Sequence, residues 1–215
     1  MKNILIYEYI TGGGLIGKNF NHNLHKEANL IIDSLIKDTN NTVNFFCDYR
    51  HKNKNHNNAI PITTANMGII YNADYINSYD YFLPICPETD LVLYDYIKEI
   101  NPYVYNMKVS SPEALLVTSD KMLLKGICNQ YNISHADSYN IKSNPDTYII
   151  KDRFGCGCNN VKITNNKNLK VPSNRVYEKY VTGESYSVSL YISGSNYEMI
   201  SINQQVIKLY KNNLK

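Results

Sequence analysis

Tyr148-Ile149-Ile150-Lys151 reads as an apolar strand ending in a lysine, and Arg153-Phe154-Gly155-Cys156-Gly157-Cys158-Asn159-Asn160 follows it as a glycine-bearing loop. Such a pair sets a compact positive charge beside a backbone whose N–H groups can approach an anion. Upstream, Ser119-Asp120-Lys121 opens a helix. Downstream, Val176-Tyr177-Glu178-Lys179-Tyr180-Val181-Thr182-Gly183-Glu184 is a strand running into a turn. Taken singly, Lys151 is a solvated strand end and the glycines are a hairpin turn. Taken in order, the four elements compose a nucleotide site. Lys121 and Lys151 neutralise phosphate oxygens, and the loop bearing Gly155 and Gly157 covers them. The strand edge Glu178–Val181 offers backbone groups to an adenine and acidic oxygens to its amino group or ribose.

The chain around this stretch is 215 residues long, 43% hydrophobic and 19% charged, with a formal net charge of +3. Twenty tyrosines and abundant isoleucine and leucine supply enough apolar surface for a core, so a disordered chain is excluded. Five cysteines are too few, and odd in number, for a disulfide scaffold. The small net charge does not point to nucleic acid. Met1-Lys2-Asn3 leads straight into an apolar run without a leader, and no stretch approaches the ~20 apolar residues of a membrane helix. The expectation is a soluble, reduced, cytoplasmic protein.

The first half alternates strands and helices. Asn3–Ile10, Thr42–Cys47 and Tyr79–Cys86 read as buried strands, and Leu24–Ile36 as a helix with apolar residues at helical spacing. Pro87 stands where a further helix would start, with Glu88 and Asp90 in its first turn and Leu91–Ile100 continuing it. Asp48–Asn58, polar and rich in asparagine, reads as a surface loop. This grammar predicts a parallel α/β domain over residues 1–107. A linker near Asn106–Ser111 follows, then two consecutive helices within Ser110–Tyr131, with Cys128 a core residue of the second. From Ser134 the pattern becomes short strands: Tyr139–Ile141, Thr147–Lys151, Val161–Thr164, Arg175–Val181, Ser185–Ile192 and Tyr197–Ile207. An antiparallel α+β domain over 111–215 is expected, with subdomains at about 111–175 and 176–215.

Three other motifs offer competing chemistry. Gly12-Gly13-Gly14-Leu15-Ile16-Gly17 matches the dinucleotide pattern G-x-G-x-x-G after a strand. That chemistry needs a helix to begin within the glycines so that its N-terminus meets a pyrophosphate. Here Lys18-Asn19-Phe20-Asn21-His22-Asn23 intervenes, so the loop reads as the lining of a cleft at the sheet's carboxyl edge. A Rossmann-type binder stays as the alternative if a cofactor sits at Gly12–Gly17. Cys156-x-Cys158 and His22-x-x-His25 each supply only two ligands, short of a zinc site, so no metal ligand is assigned.

The order of elements resembles the ATP-grasp superfamily, and within it archaeal ligases of the tyramine–glutamate type, which act in methanofuran biosynthesis. The resemblance covers essentially the whole chain. It rests on Ile6-Tyr7-Glu8-Tyr9-Ile10-Thr11-Gly12-Gly13-Gly14, Ile85-Cys86-Pro87-Glu88-Thr89-Asp90, Ser110-Ser111-Pro112-Glu113-Ala114-Leu115 and Ser119-Asp120-Lys121, with the lysine and glycine-loop motifs above. It implies an N-terminal parallel α/β domain followed by an ATP-grasp domain. Lys121 and Lys151 would meet the phosphates, Gly155–Asn160 would be a mobile loop closing over them, and Glu178, Lys179 and Val181 would line the adenine pocket. In many relatives the ribose-binding acid stands two residues after the glycine. Ser185 holds that position here, and Glu184 lies one earlier. The implied reaction is ATP-dependent ligation of a carboxylate to an amine through an acylphosphate, with Mg²⁺ or Mn²⁺ and with glutamate and an aromatic amine such as tyramine as substrates. Gly12, Gly13, Gly14 and Glu88 are the candidate substrate contacts. The family's Glu-x-Asn metal motif, expected near the C-terminus, does not follow Asn203-Gln204-Gln205-Val206-Ile207 before Lys215, and only three arginines, Arg50, Arg153 and Arg175, are present to clamp an acylphosphate. The expectation is therefore a C-terminally truncated domain. As partners it would take ATP, the two small substrates, and either a second copy or a separate C-terminal piece. The rival reading is a non-catalytic ATP-binding fragment.

Overall fold

Successive residues of a strand face opposite ways, and Asn3–Glu8 (β1) uses both faces. Leu5 and Tyr7 enter one core with Phe46, Ile62, Phe82 and Ile97, while Ile6 enters another with Ile32, Val43, Phe45 and Cys47. A strand buried on both sides belongs to a sheet covered on both sides. In the computed structural model, which describes residues 1–19, 22–51, 56–136, 147–158, 160–165, 172–207, 209–210 and 213–214, that sheet is parallel. Its order is β3-β2-β1-β4, with β2 at Thr42–Asp48, β3 at Ala59–Ile62 and β4 at Tyr81–Ile85. Helix α1 (His22–Lys37) turns His25, Ala28 and Ile32 inward. α2 is Ala73–Asn77, capped by the Asn72 side chain accepting from Tyr75 N–H. α3 (Val92–Ile100) buries Tyr96, Ile97 and Ile100, and Leu115 at the start of α4 (Pro112–Ser119) joins the same cluster.

The parallel α/β reading of the first half holds, with local corrections. β1 stops at Glu8 instead of Ile10, because the Glu8 carboxylate accepts the Thr11 N–H and hydroxyl at 2.7 Å each and pulls the chain into a turn. The α-helix expected from Pro87 begins at Val92, after a 3-10 turn at Thr89–Leu91, since Asp90 (φ 54°) and Leu91 (φ 62°) are left-handed. Asp48 ends β2, and both it and His51 are buried, so the expected surface loop starts later, with Tyr49 exposed between them. β3, a 3-10 turn at Met67–Tyr71 and α2 fill the stretch for which no elements were predicted.

The chain divides into two units, Met1–Val117 and Thr118–Lys215. In the second, α5 (Lys121–Gln130) follows α4 after the single residue Asp120. β5 (Tyr148–Asp152) pairs antiparallel with β6 (Lys162–Thr164) on one side and β7 (Arg175–Lys179) on the other. Short β10 (Leu209–Tyr210) and β11 (Asn213–Leu214) extend that sheet beyond β6. Tyr148 and Tyr177 stack with centroids 4.6 Å apart and form its core with Ile150. β8 (Tyr186–Ser193) and β9 (Asn196–Gln204) form a separate antiparallel ribbon whose apolar side chains, among them Ile192, Met199 and Ile202, are exposed. The expected antiparallel character stands. The predicted strand at Tyr139–Ile141 lies outside the described residues. Cys128 is half-buried instead of a core residue. No helix among the described residues is long and apolar enough to cross a membrane.

Candidate functional site

Asp120 sets the start of α5. Its Oδ1 accepts the Met122 and Leu123 N–H groups at 2.9 and 3.4 Å, closing the first turn as an N-cap. The same carboxylate takes both prongs of Arg153, Nε to Oδ1 at 2.7 Å and Nη2 to Oδ2 at 2.6 Å, which ties the helix start to the end of β5. Those hydrogen bonds hold the Asp120 carboxyl below the usual carboxylate range. The other two arginines are similarly engaged, Arg50 with Asp48 and Arg175 with Asp152.

With the cap in place, Lys121 opens the helix and reaches the glycine loop. Its ammonium donates to Gly155 O at 2.5 Å and more distantly to Arg153 O. Burial, and next the neighbouring Lys151, lower its pKa. The loop bends through left-handed residues at Gly157 (φ 65°), Cys158 (φ 57°) and Asn160 (φ 58°), leaving both cysteines exposed. Asn160 Nδ2 returns to Asp152 Oδ2 at 2.9 Å, which fastens the loop's far end to β5.

One turn after Lys121, Lys125 is the buried residue of α5. It meets Glu178, which β7 places opposite Ile149 of β5 and which is only 2% exposed. Lys125 Nζ lies 2.7 Å from Glu178 Oε1, and Lys151 Nζ lies 2.5 Å from Oε2. Asp120 pairs with Arg153 and Asp152 with Arg175, so among the described residues Lys121, Lys125 and Lys151 are left with one carboxylate, that of Glu178. The surplus is positive and partly desolvated, a setting that favours an anion.

Beside it opens a pocket of about 370 Å³, lined by Ile149, Lys151, Glu178, Lys179, Val181 and Ser185 among others. The site thus gathers Lys151, Glu178, Lys179 and Val181 around one cavity, with Lys121 and Gly155 joined beside them through their own hydrogen bond. Gly157 is on the loop. Lys121, Gly155, Gly157 and Glu184 are not among the described residues lining the pocket; Glu184 accepts the Tyr186 hydroxyl at 2.7 Å, while Ser185 faces the cavity. Gly12, Gly13, Gly14 and Glu88 lie in the first unit, after β1 and β4. Sequence reasoning passed over Lys125 and the Arg153–Asp120 fork. The available signal for Lys125 was its position four residues after Lys121, on the same helix face. Among the described residues no three His, Cys, Asp or Glu side chains gather as a metal site.

The chain is 32% identical over 128 residues to tyramine–L-glutamate ligase of Methanocaldococcus fervens, an alignment spanning 60% of this chain and 39% of that protein. An ATP-grasp superfamily structure from Archaeoglobus fulgidus superposes with a TM-score of 0.69 at 22% identity, over 97% of this chain and 62% of that one. The biotin carboxylase–β,γ-ATP complex of Campylobacter jejuni gives 0.62 at 15% identity, over 94% and 51%. The chain therefore spans about two fifths of the length of the curated relative and under two thirds of these structures. Residues 118–215 match the family described as the ATP-grasp domain, and the chain carries the α/β ATP-grasp fold.

Proposed function

We propose that this chain binds ATP for a carboxylate–amine ligase, joining a carboxylate such as that of glutamate to an aromatic amine such as tyramine, a step of the kind methanofuran biosynthesis uses. The observation that carries the reading is the surplus of partly buried lysine charge beside a pocket of nucleoside size. Lys121 and Lys151 neutralise phosphate oxygens and the loop at Gly155 and Gly157 shields them. Glu178, Lys179 and Val181 take the adenine, with Ser185 or Glu184 toward the ribose. In the reaction the substrate carboxylate oxygen bonds to the γ-phosphorus as ADP leaves. The amine nitrogen then bonds to the acyl carbon, phosphate leaves, and the amine loses a proton. Positioning and charge neutralisation dominate both steps. Gly12, Gly13, Gly14 and Glu88 are proposed as substrate contacts, at the carboxyl edge of the parallel sheet where open α/β sheets take ligands.

Among the described residues no three His, Cys, Asp or Glu side chains gather around one point, and no step is routed through Mg²⁺ or Mn²⁺. The second reading is an ATP-binding piece that needs another polypeptide for turnover. Calorimetry with ATP, ADP and NAD tests the site: saturable ATP binding supports it, and NAD binding without ATP binding overturns it. Phosphate release and amide formation with Mg²⁺, glutamate and tyramine then separate the ligase from the binding piece.

A further inference from the structure

Glu178 holds two ammonium groups, and they are not equivalent. The Lys125 side chain is 10% exposed and that of Lys151 is 28% exposed. Lys151 lines the pocket, whereas Lys125 approaches Glu178 from α5 and does not. Resting on the nucleotide reading above, the geometry points to a division of labour. Lys125 is the standing counter-ion of Glu178, a positioning residue that releases Lys151 to a phosphate.

The reasoning is electrostatic. A carboxylate buried this deeply must keep a counter-ion or take up a proton. Were Lys151 its single partner, moving Lys151 Nζ onto a phosphate oxygen would strand a buried negative charge. With Lys125 fixed 2.7 Å from Oε1, Glu178 stays paired throughout, and Lys151 exchanges one anionic oxygen for another. Helical spacing supplies both parts from one face: Lys121 meets the loop carbonyl, and Lys125, one turn later, meets the carboxylate.

Lys125→Met keeps the length and apolar stem and removes the charge. Affinities for ATP and for inorganic tripolyphosphate, which has no base, are measured by calorimetry at fixed ionic strength. Lys125→Met should weaken both by about tenfold or more, the loss of one charged hydrogen bond, because Lys151 stays pinned on Glu178. Adding Glu178→Gln removes the charge that pins it, and tripolyphosphate affinity should return to within about threefold of the wild type. A merely structural role for Lys125 would give no such return. Wild-type tripolyphosphate affinity in folded Lys125→Met, or a double variant as weak as the single, overturns the inference. Should Lys125→Met not fold, the double variant decides: near-wild-type tripolyphosphate affinity supports the inference and a tenfold loss overturns it. A wild-type chain that binds no ATP refutes the nucleotide reading instead.

Discussion

Acid should destabilise the first unit through His25 and His51. His25 is 3% exposed on the inner face of α1 and His51 is 6% exposed just after β2, with their rings 4.0 Å apart. Burial, reinforced by the charge of His51, pushes the His25 pKa down to about 4, and burial lowers that of His51 too. An unfolded histidine titrates near 6.5. Between those values the unfolded chain binds a proton that the folded chain refuses, so the contribution is complete above about pH 6.5 and is lost as pH falls toward 4. For His25 alone the loss is under about 1 kcal/mol at pH 6 and about 2 kcal/mol at pH 5, with His51 adding in the same direction. Asp48 does not mask the effect. Burial raises its pKa, but its hydrogen bonds with Arg50 outweigh burial and hold it below the ordinary value, beneath this window. Glu8, raised by burial, opposes it by binding a proton in the folded state first. The difference between wild type and His25→Phe, which keeps a ring against His51, isolates the histidine. Urea unfolding at pH 7.5 and 5 should show about 2 kcal/mol less acid sensitivity in the variant. Parallel pH profiles, or a His25 imidazole titrating near 6.5 by NMR, would refute the reasoning.

Three further outcomes follow from named contacts. Lys151→Ala should weaken ATP binding by about 1–3 kcal/mol in calorimetry, and unchanged affinity in a folded variant removes Lys151 from the site. Asp120→Ala loses the α5 cap and leaves Arg153 without its fork, for about 2 kcal/mol in urea unfolding, whereas Asp120→Asn keeps the cap oxygen and should lose less. Gly13 sits at φ +105° and an added Cβ would stand 2.7 Å from Ile62 Cγ2, so Gly13→Ala should lower stability by about 1–3 kcal/mol in thermal unfolding.

Local order was legible in the sequence because its causes lie within a few residues. Short apolar runs marked β1, β2 and β4, helical spacing marked α1, and Asp120 marked the start of α5. The change from parallel to antiparallel grammar was visible for the same reason. β3 and α2 escaped because each is short and Pro61 interrupts the strand pattern, and α3 began late because two left-handed residues follow Glu88. Lys121, Lys151 and Glu178 could be named from their neighbours. What only the tertiary structure decided is how they are partnered. β7 lies beside β5 and brings Glu178 onto Lys151, and α5 supplies Lys125 from far upstream in the chain. A lysine on a helix is by default a solvated side chain. It becomes a buried counter-ion through a carboxylate that another element delivers, and desolvation and pairing of that kind are properties of the packed neighbourhood, not of the residues on either side.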